Sequence, residues 1–189
     1  MITNIPAEIK AFLIALKIRD YQTYIHSLKV ADLSKKVAQQ MLLSDDDIEN
    51  IYKAGLLHDI GKVGIQDSIL LKKGPLTKEE QVIMKTHVIL SGEILRECKK
   101  TSVLATMVIS HHERYDGTGY PYQLKGEEIP LGGRIICVAD SFSAMMEKRS
   151  YKGMVSLEYA IKEIIRNSGS QFDPKVVDGF REIITKAIK

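Results

Sequence analysis

Five histidines stand at positions 26, 58, 87, 111 and 112, each on or at the end of an apolar, helix-like run. A single histidine on an apolar face is more often a hydrogen-bonded core residue than a ligand, so none of them carries much meaning alone. Together with two carboxylates they ask for a metal. His58 is followed directly by Asp59 in LLHDIGK, and Asp140 closes the apolar run IICVAD. Burying an unpaired carboxylate costs on the order of several kcal/mol, and a divalent cation offsets that cost directly. Mixed imidazole and carboxylate donors suit iron, manganese or zinc. His26, His58, Asp59, His87, His111, His112 and Asp140 are more donors than one ion needs. Two ions are therefore expected, and a carboxylate such as Asp59 can bridge them.

Two cations so placed lower the pKa of a bridging water and clamp phosphoryl oxygens, and the hydroxide attacks phosphorus in line with the leaving oxygen. No side-chain nucleophile is then required, and none is evident. GxSxG and GxxxxGK[ST] are both missing, and neither Cys98 nor Cys137 has an obvious activating neighbour. Lys62 follows His58 by four residues, and Gly61 interrupts the helix between them, which leaves the lysine reaching back over the metals. In KRSYK, Arg149 offers a bidentate fork for phosphate and Lys152 a point charge. HHERYDGTGYP sets a shaped loop beside the histidine pair. Gly117 and Gly119 permit unusual backbone angles, Pro121 stiffens the exit, and Tyr120 projects from the turn. Tyr120 either stacks on a base or bonds a phosphate, or it packs the loop onto the domain. Glu113 and Asp116 either orient the histidines or stabilise the loop.

The elements that must position these groups read as helices almost throughout. Helices are expected over about 6–18, 21–42 and 45–59, the third capped by Ser44. Thr77 and Glu80 form a capping-box signature for a helix over 78–98. Others are expected over about 102–112 and 134–148, from Ser156 to near Asn167, and from Asp173-Pro174 onward. Residues 113–132 hold most of the glycine and proline and read as one long ordered loop. No alternating strand pattern appears, so the fold class is all-α.

The 189 residues suffice for one domain with a hydrophobic core. A formal charge of +3 is too small to argue for polymeric nucleic acid. Two widely separated cysteines argue against a disulfide framework and fit a reducing compartment. The N-terminal apolar stretch is too short and too charged to span a bilayer, so no membrane is expected and the cytoplasm is the default location.

HDIGK at 58–62, His87 in MKTHVILSGEIL, HHERYDGTGYP and VADSFSAM, in this order, resemble the HD-GYP family of phosphodiesterases, within the HD superfamily of metal-dependent phosphohydrolases. The resemblance runs from about residue 18 to 180. It implies a single-domain helical bundle over 18–189, with 1–17 as an N-terminal helix or extension. It places the family's metal ligands on His26, His58, Asp59, His87, His111, His112 and Asp140, with His58, Asp59 and Lys62 at the catalytic centre. It places phosphate contacts on Lys62, Arg149 and Lys152. Some members hold a third metal through a glutamate one turn before the first histidine. Gln22 stands there, neutral and weakly ligating, which favours two metals, iron first, with manganese or zinc as alternatives. The implied substrate is cyclic di-GMP, opened to linear pGpG, with further cleavage to GMP left open. Ser143 and Ser150 depart from the family's frequent aspartate and proline. Two rivals stand beside this reading: an HD-type hydrolase of another nucleotide, and a non-catalytic module that binds cyclic di-GMP or a diguanylate cyclase. The DGTGYP loop argues against the first, and the full set of ligands against the second.

Overall fold

The computed structural model describes residues 5–147 and 156–188. Ten α-helices run in chain order through them: α1 (Ala7–Arg19), α2 (Tyr21–Gln40), α3 (Asp45–Leu57), α4 (Asp67–Leu70), α5 (Lys78–Lys85), α6 (His87–Arg96), α7 (Ala105–Ile109), α8 (Leu131–Met146), α9 (Leu157–Arg166) and α10 (Pro174–Ile188). A tight 3₁₀ turn, Ile60–Gly64, links α3 to α4. The described residues contain no strand, and their one β-bridge, Ser168 with Phe172, is isolated. None of their helices is long and apolar enough to cross a membrane. Both cysteines are free.

The helix starts follow local chemistry. Asp20 accepts from the Gln22 amide at 3.0 Å and Ser44 from the Asp47 amide at 3.2 Å. Thr77 and Glu80 close the capping box at α5. Ser156 accepts from the Tyr159 amide, and Asp173 from the Lys175 amide. Each side chain satisfies an amide that has no partner within its own helix.

Three helices depart from the sequence expectation. The run 78–98 breaks at Thr86, because the Thr86 hydroxyl takes the Ile83 carbonyl and the His87 ring takes that of Met84. Side chains thus replace the ladder at the break, and His87 is turned inward. The run 102–112 shortens to α7, preceded by a 3₁₀ turn at Ser102–Leu104. In the other direction, α8 begins at Leu131, so the expected loop 113–132 ends sooner. Gly132 and Gly133 lie inside α8, where a Cβ on Gly133 would come within 2.2 Å of Ser110 Oγ; they serve close helix contact.

Two apolar clusters fill the bundle. One joins α1, α2, α3, α6, α7 and α8 through residues such as Leu16, Val30, Leu56, Leu95, Val108 and Ile136. The other joins α2, α8, α9 and α10 around Val37, Ile135, Ile164 and Phe180. Leu16, Val30, Leu56, Ile135, Ile164 and Phe180 are fully buried, each stabilising the fold by about 1.5–3 kcal/mol. A boundary at residue 18 leaves α1 ahead of the domain, yet its Ile9, Leu13 and Leu16 share the first cluster.

Candidate metal centre

His58 caps the C-terminal end of α3, and Asp59 follows it into the 3₁₀ turn. His58 donates Nδ1–H to the Gly55 carbonyl at 2.8 Å, His87 to Met84 at 2.7 Å and His111 to Val108 at 2.6 Å. Each ring is held by the carbonyl three residues back. With the proton on Nδ1, the Nε2 lone pair is free. The Nε2 atoms of all three rings are buried and have no hydrogen-bond partner. Buried polar atoms are rarely left so, and three together point to a missing electrophile.

Asp59 lies between these rings. Its Oδ2 is 3.3 Å from His58 Nε2 and its Oδ1 is 3.3 Å from His87 Nε2. Lys62 Nζ sits 2.7 Å from Oδ2. Burial works to raise the Asp59 pKa, but Lys62 and the neighbouring imidazoles hold it well below the ordinary carboxylate range. The turn that carries Asp59 is pinned to α6. Ser91 Oγ accepts from the Gly61 amide at 2.8 Å and donates to the His58 carbonyl at 3.0 Å. A Cβ on Gly61 would fall 2.1 Å from the His87 carbonyl, so only glycine fits at this approach.

Two further helices complete the arrangement. His26, on α2, places Nε2 2.8 Å from Asp140 Oδ1 on α8. Burial lowers the His26 pKa, but Asp140 outweighs it and the net shift is upward. Burial works against the Asp140 charge too, yet the hydrogen bond from His26 and the nearby rings hold its pKa far down. Burial depresses His111 strongly, His112 to about 4 and His87 more mildly. The carboxylates are therefore anionic and the His87, His111 and His112 rings neutral near pH 7, the states that metal ligation requires. Three donor sets, each with ligand atoms within 4.8 Å of one another, result: His26, His58 and Asp140; His87, His111 and His112; and His58, Asp59 and His111. All seven expected donors converge. Four of them, His26, Asp59, His112 and Asp140, line a cleft of about 230 Å³ whose wall also includes Gln22, Lys62 and Glu147.

The loop after His112 packs onto this centre. The Tyr120 ring stacks on the His112 ring, centroids 4.9 Å apart, with Lys85 Nζ 4.9 Å from the tyrosine centroid. The Tyr120 amide donates to the His112 carbonyl at 3.2 Å, and burial pushes the phenol pKa up. Gly117 has φ of +83°, and a Cβ on Gly119 would strike the Arg114 amide at 2.3 Å. Pro121 follows Tyr120 through a cis peptide bond.

Glu113 and Asp116 bond within the loop. Glu113 Oε1 accepts from the Tyr122 amide at 2.7 Å, while Asp116 takes Arg114 Nη2 at 2.8 Å and the Thr118 hydroxyl at 2.6 Å. The orienting bonds to His58, His87 and His111 come instead from backbone carbonyls, because each ring folds back over its own helical turn. Arg149 and Lys152 lie outside the described residues. Sequence reasoning missed Ser91 and Glu147. Ser91 lies four residues after His87 on the same face of α6, and Glu147 seven after Asp140 at the end of α8. Those spacings were the available signals.

A cyclic di-GMP phosphodiesterase of Thermotoga maritima is 44% identical over 167 residues, covering 87% of this chain and 45% of that protein. A cyclic di-GMP phosphodiesterase of Vibrio cholerae is 40% identical over 185 residues, covering 90% of this chain and 38% of that protein. The chain thus spans less than half the length of these curated relatives. Among solved structures, a cyclic GMP-AMP specific phosphodiesterase of V. cholerae shares the fold, with a TM-score of 0.70 at 23% identity over 94% of this chain and 48% of that one. A family model for the HD domain matches residues 10–176, so this chain belongs to the HD-domain family and, with HDIGK, the histidine pair and the GYP loop all in place, to its HD-GYP branch.

Proposed function

We propose that this chain is the catalytic unit of a metal-dependent phosphodiesterase that hydrolyses cyclic di-GMP to linear pGpG, with GMP as a further product. The unit is taken as residues 18–189 with α1 packed on it. The observation that carries the reading is Asp59, with one oxygen toward His58 and the other toward His87, between two imidazole-rich donor sets. The orphaned Nε2 atoms and the all-N/O donor chemistry fit divalent ions, iron first, then manganese or zinc. Two such ions, one held by His26, His58 and Asp140 and one by His87, His111 and His112 with Asp59 shared, would supply Lewis acidity to phosphoryl oxygens and an acidified water.

The chain's own residues do the rest. Lys62 stays charged at the cleft, held by Asp59 despite its burial, and presents an ammonium to a phosphate oxygen. Arg149 and Lys152 anchor the second phosphate. Tyr120 keeps its phenol proton and, already stacked on His112, walls the site on the loop side and excludes water. Glu113, Asp116, Gly117, Gly119 and Pro121 hold that loop against the centre. Cys137 is buried with its thiol pushed up to about 12, which removes it as a nucleophile.

The test is elemental analysis of anaerobically purified protein paired with a cyclic di-GMP turnover assay. Two metal equivalents and hydrolysis that disappears in His58→Ala support the reading. Tight nucleotide binding without turnover under Fe(II) or Mn(II) refutes it in favour of a signalling module, for which a diguanylate cyclase is the natural protein partner.

A further inference from the structure

His26 is held differently from His58, His87 and His111. It lies within α2, and no carbonyl of its own turn takes its Nδ1. The ring nitrogen faces Glu147 Oε1 at 3.2 Å instead. Glu147 is the residue after α8, seven places beyond Asp140, and both its neighbours on this wall come from α2. Lys29 Nζ lies 3.3 Å from the same oxygen and steadies it. On the other edge of the ring, Nε2 points to Asp140 within the set that contains His58. Gln22, one turn before His26, borders the cleft but carries no charge, so on this side the anionic group nearest Nδ1 is supplied by a different helix.

We infer that Glu147 is a positioning residue for His26: by accepting the Nδ1 proton it fixes the tautomer that presents Nε2 to a divalent cation, and so completes one of the two donor sets. The inference rests on the two-metal reading above. A carboxylate behind a ligating imidazole orients the ring and raises its basicity, and removing one typically weakens metal binding by about 10–100-fold. The effect is confined to the ion held by His26, His58 and Asp140, because Glu147 touches neither His87, His111 nor His112. Glu147 also ends the helix from which the chain continues to Arg149 and Lys152.

The experiment compares the parental chain with Glu147→Ala and Glu147→Gln. Each is loaded with Zn(II) and titrated against a chromophoric chelator, and the His26 ring nitrogens are followed by long-range proton–nitrogen NMR. The parental chain is expected to hold two equivalents, with His26 protonated on Nδ1 and ligating through Nε2. Glu147→Ala keeps one equivalent at parental affinity and binds the second about 10–100-fold more weakly. Glu147→Gln, whose amide oxygen still accepts the Nδ1 proton, stays close to parental. Two equivalents at parental affinity in Glu147→Ala, or a glutamine variant as weak as the alanine one, would overturn the inference. If Glu147→Ala does not fold, the parental spectrum decides: a proton on Nε2 in the zinc-loaded chain overturns it. A parental chain that takes up no divalent metal overturns the two-metal reading itself.

Discussion

Gly61→Ala tests whether the metal centre depends on a backbone contact that leaves no room for a methyl group. Gly61 does not have positive φ, so alanine meets no conformational penalty there. The obstacle is contact. The added Cβ would lie 2.1 Å from the His87 carbonyl oxygen, 2.5 Å from the Ser91 amide nitrogen and 2.8 Å from Ser91 Oγ. Two of these atoms belong to the α6 backbone and cannot rotate away. Relief requires the 3₁₀ turn and α6 to separate by about 1 Å. Overpacking of this kind costs about 1–3 kcal/mol, and backbone obstruction places this case at the upper end, about 3 kcal/mol. For a chain of this length that lowers the thermal midpoint by about 6–12 °C. Asp59 rides on the turn and His87 on α6, 3.3 Å apart, and ligand distances tolerate only about 0.2 Å. The variant should therefore lose metal as well as stability. Gly64→Ala is the control within the same turn. Its Cβ would meet Leu90 Cδ1 at 3.0 Å, a terminal methyl that can swing aside. The assays are urea unfolding and metal analysis of both variants. A Gly61→Ala chain with a parental midpoint and two metal equivalents would refute the reasoning.

Three other perturbations follow from the same geometry. Asp59→Ala should abolish metal uptake and turnover together, since one carboxylate faces both donor sets, and retention of full metal content contradicts the shared role. Arg134→Leu should destabilise the fold by about 3–5 kcal/mol, because it strands the buried Asp173 carboxylate that Arg134 contacts at 2.5 Å, and an unchanged urea midpoint would show the pair to be dispensable. In metal-free protein, the His112 ring, held down to about 4 by burial, refuses a proton that the unfolded chain accepts near 6.5. Its contribution is intact above pH 6.5 and is lost as the pH falls toward 4, on the order of 3 kcal/mol in all, while His26 titrates in the opposite sense above 6.5. A urea midpoint that stays flat from pH 7 to 4.5 would exclude this.

What could be read from the sequence divides by the range of the interaction. Caps at Ser44, Thr77 with Glu80, Ser156 and Asp173 act within three residues, and the structure uses each where its residue type suggests. The convergence of HD, HH and the distal Asp140 was also legible, because adjacent donors on apolar helices have few other uses. The break at Thr86 was not, since it depends on His87 turning its ring onto the Met84 carbonyl. The choice between two roles for Glu113 and Asp116, orienting the histidines or stabilising the loop, was open in the sequence for the same reason. The path of the loop carries them to Tyr122, Arg114 and Thr118, the loop-stabilising role of the two. Ser91 and Glu147 were not singled out, since a hydroxyl on an apolar helix and an acid at a helix end are both common. Only the crossing of α6 over the 3₁₀ turn, and of α8 over α2, gives them work.

The three unpartnered Nε2 atoms bear on why these imidazoles are in the core at all. A buried acceptor left without a donor costs about 1–3 kcal/mol, and three of them sit at one place. A polar network serving only the fold would satisfy its own members, as Ser91 does between Gly61 and His58. Here every Nδ1 in the trio is satisfied and every Nε2 is not, a one-sided pattern that packing alone does not select. Protonation is no remedy for His87 and His111, because burial and the neighbouring rings keep both neutral. The remaining partner that accepts a lone pair without bringing a proton is a cation. The apolar clusters pack the helices that carry these rings, and a bound cation would offset the cost of their unpaired acceptors.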